Sequence, residues 1–168
     1  MNKNIIRACL LILTLATCLM IAGCGSSGDS ESSELDLSAG ITRTDNSETG
    51  EGTVKSDVFE VTLPNGASWD YEVVGPTEIR FFNKAAKEAE LGGTLFTLEA
   101  FEPDDESYDM VPNAVVGEKD GKKIVAVFTS DVQYDIQDEA AAKEYLDVYD
   151  VVQTISDDAS KSPLVLAE

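Results

Sequence analysis

Ala114-Val-Val-Gly-Glu-Lys-Asp-Gly-Lys-Lys-Ile-Val-Ala-Val-Phe128 is the stretch that decides the fold. Ala114 to Gly117 and Lys123 to Phe128 flank Asp120-Gly121. Asp-Gly supplies the positive φ angles of a two-residue hairpin turn, so the spacing predicts two adjacent antiparallel strands. Ile124 to Phe128 is wholly apolar, and Leu95 to Phe101 is apolar on both faces except at Thr97 and Glu99. Strands of this kind are central in a sheet and covered on both sides. Towards the N-terminus, Phe59, Val61 and Leu63 alternate with polar residues and run into the turn Pro64-Asn65-Gly66. Trp69, Tyr71 and Val73 share one strand face opposite Asp70 and Glu72. Gly75-Pro76 turns the chain, and Glu78 to Phe82 reads as a further strand. Asn83 to Glu90 reads as a brief helix with Asn83 as N-cap and Gly92-Gly93 as its stop. Towards the C-terminus, Ala141, Tyr145, Val148, Val152 and Ile155 line one face of a helix from about Asp138 to Ile155. Asp138 caps it, Glu139 suits its dipole, and Glu144, Asp147 and Asp150 fall off the apolar stripe. The expected fold class is α+β: a largely antiparallel sheet of about six strands, with the short helix and the long C-terminal helix packed on it.

The rest of the chain sorts around this core. The 168 residues carry 32 acidic and 12 basic side chains, a formal charge of −20, and no histidine. Histidine-based triads, His-ligated zinc and haem on a proximal histidine are thereby excluded. The charge disfavours nucleic acid, whose phosphates need a basic face. Residues 25–56 hold 17 Gly, Ser or Thr among 32, with no aromatic residue. That composition predicts a flexible acidic tether. Residues 57–157 form the expected globular domain, and 158–168 are expected to fray.

The N-terminus reads as an address. Lys3 and Arg7 precede an apolar run from Ala8 to Ala22, too short for a spanning helix, and the first acidic residue is Asp29. This is the pattern of a secretory signal peptide, residues 1–23. Ile21-Ala22-Gly23-Cys24 resembles the lipobox of bacterial lipoproteins: an aliphatic residue, two small residues, then cysteine. The resemblance implies a covalent diacylglyceryl group on the Cys24 thiol and cleavage between Gly23 and Cys24. Cys9 and Cys18 would leave with the signal, so the mature chain would hold one blocked sulfur and no disulfide. The competing reading is an ordinary signal peptide or an N-terminal membrane anchor with a coincidental cysteine.

Candidate sites were weighed against plainer roles. Asp104-Asp105-Glu106 offers oxygen ligands for calcium, but no D-x-[DN]-x-[DN]-G spacing occurs, and a solvated acidic loop within residues 103–111 is the preferred reading. Asp131, Asp135 and Asp138 stand where a strand end meets the terminal helix; turn and capping roles are preferred to a carboxylate site. Residues 57–157 contain 23 acidic side chains, so some pair is bound to be close, and a pair alone is no signal of glycoside chemistry without its geometry. Gly66-Ala-Ser-Trp-Asp70 lacks the second glycine of a nucleophile elbow and reads as a turn. Gly92-Gly93 reads as a helix stop, not a phosphate loop. Trp69, Tyr71, Phe81 and Phe82 are candidates for lining a groove, but aromatic residues at strand spacing are read as core; Phe81 and Phe82 must face opposite sides of their strand, so an uncovered side would present an aromatic patch to a partner.

Phe59-x-Val-x-Leu-Pro64 followed by Trp69, Gly92-Gly-x-Leu-Phe96, Lys119-Asp-Gly-Lys-Lys-x-Val-Ala126 and Thr129-Ser-Asp-Val-Gln-Tyr-Asp135 resemble the small extracytoplasmic domains of uncharacterised lipoproteins in Gram-positive bacteria. The strand ending in Leu-Pro with a Trp shortly after is also similar to the PsbP-like fold, a sheet covered by helices on both faces. The resemblance spans residues 57–157 and implies a binding or structural role. It carries no catalytic residue and no cofactor beyond the lipid. The expectation is a lipid-anchored protein on the outer face of the cell membrane, holding a protein or cell-envelope partner. Two alternatives stay open: a cell-envelope hydrolase using paired carboxylates, and a calcium-binding surface protein.

Overall fold

The computed structural model describes residues 35–168. The signal peptide, Gly23, Cys24 and the part of the expected tether before Leu35 lie outside the described residues. The strands are β1 (Thr42–Asp45), β2 (Gly52–Lys55), β3 (Phe59–Leu63), β4 (Trp69–Gly75), β5 (Glu78–Asn83), β6 (Thr94–Phe101), β7 (Asn113–Lys119), β8 (Lys122–Val127) and β9 (Leu164–Leu166). The helices are α1 (Lys84–Glu88) and α2 (Glu139–Asp157).

The fold class is α+β, but one sheet of about six strands is replaced by two antiparallel sheets. The first runs β1-β2-β3-β9 and the second β4-β5-β6-β8-β7. The hairpin over Asp120-Gly121 forms as expected: Lys119 pairs with Lys122, and φ is +50° at Asp120 and +77° at Gly121. β6 and β8 are neighbours near the middle of the second sheet. Their outer face is covered in part by the 103–111 loop, whose Tyr108 is buried and packs 5.1 Å from the ring of Phe101. That loop is therefore less open than its acidic composition suggested.

The first sheet corrects the tether. Residues 35–56 were expected to be unfolded, yet β1 and β2 lie among them, and Leu35, Leu37 and Val54 are buried. Averaged composition concealed two short alternating strands. Their Thr residues favour strand, and Asn46 makes the turn between them by accepting from the backbone N–H groups of Glu48 and Thr49. The C-terminal residues are corrected in the same way. Leu164 pairs with Val61 and Leu166 with Phe59, so β9 closes the first sheet where fraying was expected. Three alternating residues are too few to read as a strand without their partner.

The two sheets and α2 share one core. Trp69, Phe59, Phe81 and Phe96 are its largest fully buried side chains. Phe81 stacks on Phe96 at 4.5 Å and meets the edge of Phe59 at 6.2 Å, so the aromatic pairs join the sheets. α2 buries Tyr145, Val148, Val152 and Ile155, which are residues of the apolar stripe read from the sequence, and it contacts β3, β6 and β7. Asp138 caps it by accepting from Ala140 and Ala141 N–H.

On the outer face of the second sheet, Arg80 bridges Glu72 and Glu78, and Lys87 also binds Glu72. The hydrogen bond from Lys87 is the main cause holding the Glu72 carboxyl below its ordinary value. Glu99 pairs in register with Glu78, and its carboxyl is raised, first by burial and then by the Glu78 charge. A carboxyl raised by folding favours the folded state fully only below its unfolded value, and that support is lost as pH rises through the folded one. Glu99→Gln is therefore expected to raise the melting temperature at neutral pH, with the gain vanishing towards about pH 4. A lower melting temperature at neutral pH would contradict this account of Glu99.

Candidate interaction surface

The core is closed. Among the described residues, no buried side-chain nitrogen or oxygen lacks a hydrogen-bond partner. A functional surface is therefore sought on the outside, where apolar side chains stay in water.

Such a surface is built by the segment between β8 and α2 together with the first half of α2. Val132 is 62% exposed, Ile136 71% and Leu146 37%. Tyr134, half-buried, lies 5.0 Å from Tyr145, which in turn stacks on Tyr149 at 5.5 Å. Tyr145 and Tyr149 meet because they are four residues apart on one helix face. The Tyr145 hydroxyl donates to the carbonyl of Thr94 at 2.6 Å, which fixes the middle ring of the three to β6. Burial raises both the Tyr145 and the Tyr149 hydroxyl above the ordinary tyrosine value. Two shallow pits meet at Tyr134. One, of ≈230 Å³, lies among Val132, Tyr134, Leu146 and Tyr149. The other, of ≈200 Å³, lies among Leu91, Tyr134, Asp138 and Ala141.

The segment is irregular, yet it is fastened. The Gly93 N–H donates to the carbonyl of Gln133 at 3.2 Å, and Asp135 accepts from the Gln137 N–H at 2.8 Å. Residues 129–151 carry seven acidic side chains against Lys143 as the one base. Lys143 is already paired with Asp147. The apolar surface therefore has an acidic rim.

A larger groove of ≈910 Å³ runs between α1 and α2, lined by Lys84, Glu88, Lys143, Glu144 and Asp147 among others. It offers no aromatic side chain, and its lining charges Lys143 and Asp147 pair with each other. The tyrosine surface is the better candidate, because exposed apolar area of this kind is what partner sites present.

The residues singled out in the sequence divide as follows. Trp69 and Phe81 are core, Tyr71 is half-buried against Phe81, and Phe82 points outward beneath the Lys87 ammonium, 3.7 Å from the ring centre. They form no groove together. Gly66 to Ser68 is a turn that leads into β4 at Trp69 and Asp70, and it is held by Arg43, which binds the Gly66 carbonyl and Asp70 and lies 4.2 Å over the Trp69 ring. Gly92 and Gly93 follow α1 with positive φ. Asp105 accepts from the Ser107 N–H within its exposed loop. Asp135 and Asp138 serve turn and cap, and Asp131 is exposed. Among the described residues, no three acidic side chains come together as a metal site. No described helix is long and apolar enough to cross a membrane.

Sequence reasoning missed Tyr134, Tyr145 and Tyr149 as a unit. Tyr145 was read as core, and Tyr134 stood in an unassigned segment. The usable signal was two tyrosines at i and i+4 followed upstream by isolated apolar residues in a polar stretch. No protein family, curated protein or solved structure matches the chain.

Proposed function

We propose that this chain is an extracytoplasmic lipoprotein, anchored through a diacylglyceryl group on Cys24 after cleavage at Gly23, that holds a partner near the outer face of the cell membrane. The observation that carries the anchor is the run Ile21-Ala22-Gly23-Cys24 behind an apolar stretch with a basic start. Two acyl chains suffice for stable anchoring, since each buried methylene contributes roughly 0.8 kcal/mol. The protein surface adds nothing: without Lys3 and Arg7 the balance is 10 basic to 32 acidic, or −22, and anionic head groups repel it. Leu35, the first described residue of the fold, follows Cys24 by 11 positions. Even a fully extended chain of that length spans only about 40 Å. Confinement of this kind gives roughly millimolar effective concentrations, so weak binding is enough.

The finer fold proposal is a relationship to the PsbP-like sandwich, supported by the antiparallel β4-β5-β6-β8-β7 sheet and the long α2. The β1-β2-β3-β9 sheet is what such a relationship would have to accommodate. The hydrolase alternative has one observation in its favour, the raised Glu99 opposite Glu78. Against it, Arg80 neutralises Glu78.

Cys24→Ser tests the anchor. The native chain is expected to incorporate labelled fatty acid and the variant to incorporate none, its apolar run from Ala8 to Ala22 remaining uncut. Equal labelling of the two chains, or an unlabelled native chain, would overturn the proposal.

A further inference from the structure

We infer that the surface around Tyr134 docks a basic protein segment bearing apolar side chains; this rests on the binding role proposed above and names its partner class.

The surface offers two chemistries side by side. The ≈230 Å³ pit among Val132, Tyr134, Leu146 and Tyr149 accepts an apolar side chain. The half-exposed rings of Tyr134 and Tyr149 present π faces, which attract guanidinium and ammonium groups. The rim supplies the complementary charge. Asp131, Asp135, Asp138 and Asp150 are exposed, and none of them forms a salt bridge among the described residues. A neutral or acidic segment would leave the charge of those carboxylates opposite a desolvated interface without a cation, at a cost. A basic segment neutralises them, and the charge of −20 on the chain steers it inward. The middle ring is pinned by its bond to Thr94, and Gln133 is tied to Gly93, so part of the surface is organised before the partner arrives.

The test uses the full chain in detergent and a labelled synthetic peptide of alternating arginine and leucine. A second peptide replaces each leucine with serine. The substitutions are Val132→Ser and Leu146→Ser together, which change no charge and fall on exposed side chains that line the pit. The arginine–leucine peptide is expected to bind the native chain at least about tenfold more tightly than either the arginine–serine peptide or the doubly substituted chain, as loss of a central apolar contact produces. Equal affinity of the native and substituted chains for the arginine–leucine peptide would overturn the inference, since binding would then follow net charge alone. Failure of the peptide to bind, with a self-associated native chain that the double substitution makes monomeric, would also overturn it and assign the surface to a second copy. Cys24→Ser is expected to leave peptide affinity unchanged, so failure of the anchor and failure of the docking surface are read separately.

Discussion

Trp69→Ala is expected to destabilise the fold by about 4 kcal/mol. Three contacts and the burial of the ring are lost at once. The indole is fully buried, packs 6.2 Å from Phe81, donates through Nε1 to the carbonyl of Pro64, and carries the Arg43 guanidinium on its face. The same ring lies so close to Gly52 that a side chain there would meet it at 2.8 Å. Trp69 therefore sits where β2, the β3–β4 turn and β5 converge. Domains of this size are stable by roughly 5–15 kcal/mol, so the variant should keep little of its resistance to denaturant. Urea unfolding followed by circular dichroism measures the loss. A loss under about 1 kcal/mol would mean that the two sheets do not depend on this contact. Trp69→Phe, which keeps the contact with Phe81 but not the bond to Pro64, should fall between the native chain and Trp69→Ala.

Gly93→Ala should have the second largest effect, about 3 kcal/mol. Its φ is +72°, a conformation that costs an L residue about 1–2 kcal/mol by itself. A Cβ there would also lie 2.7 Å from the Asn83 carbonyl oxygen and 2.8 Å from the Lys87 nitrogen, both backbone atoms that cannot step aside cheaply. The consequence reaches the candidate surface. Gly93 accepts from the Asn83 N–H and donates to the Gln133 carbonyl, so it ties the start of α1 to the segment that carries Val132 and Tyr134. The variant is expected to melt earlier and to bind the arginine–leucine peptide more weakly. A variant as stable as the native chain would show that the segment is fastened by other means. Weaker binding by Gly93→Ala at a temperature where it remains folded would place the loss in the docking surface.

What was legible in the sequence follows from period and length. The Asp120-Gly121 hairpin and α2 were read to within a few residues, because turn chemistry and a stripe five apolar residues long leave few alternatives. β1, β2 and β9 were not. Each is three or four residues long, and each becomes a strand only by pairing with β3 or its neighbour, which is information that no local window holds. Leu35 and Leu37 stand as lone apolar residues in the expected tether, yet both are buried. Arg43 shows the error most plainly. Within a Ser/Thr-rich stretch it reads as one charge in a tether, whereas in the fold it clamps Gly66 and Asp70 beneath it on the face of Trp69. The tyrosine surface was hidden differently. A tyrosine on the inner stripe of a helix reads as core, and Tyr145 is core; its role in presenting Tyr134 and Tyr149 depends on a segment with no periodicity.

Mass spectrometry of the membrane-associated protein tests the anchoring proposal most directly. The account predicts an N-terminal peptide that starts at Cys24 and carries the added mass of a diacylglyceryl group on its sulfur. A mature chain that still starts at Met1, or one that starts at an unmodified cysteine, would contradict it.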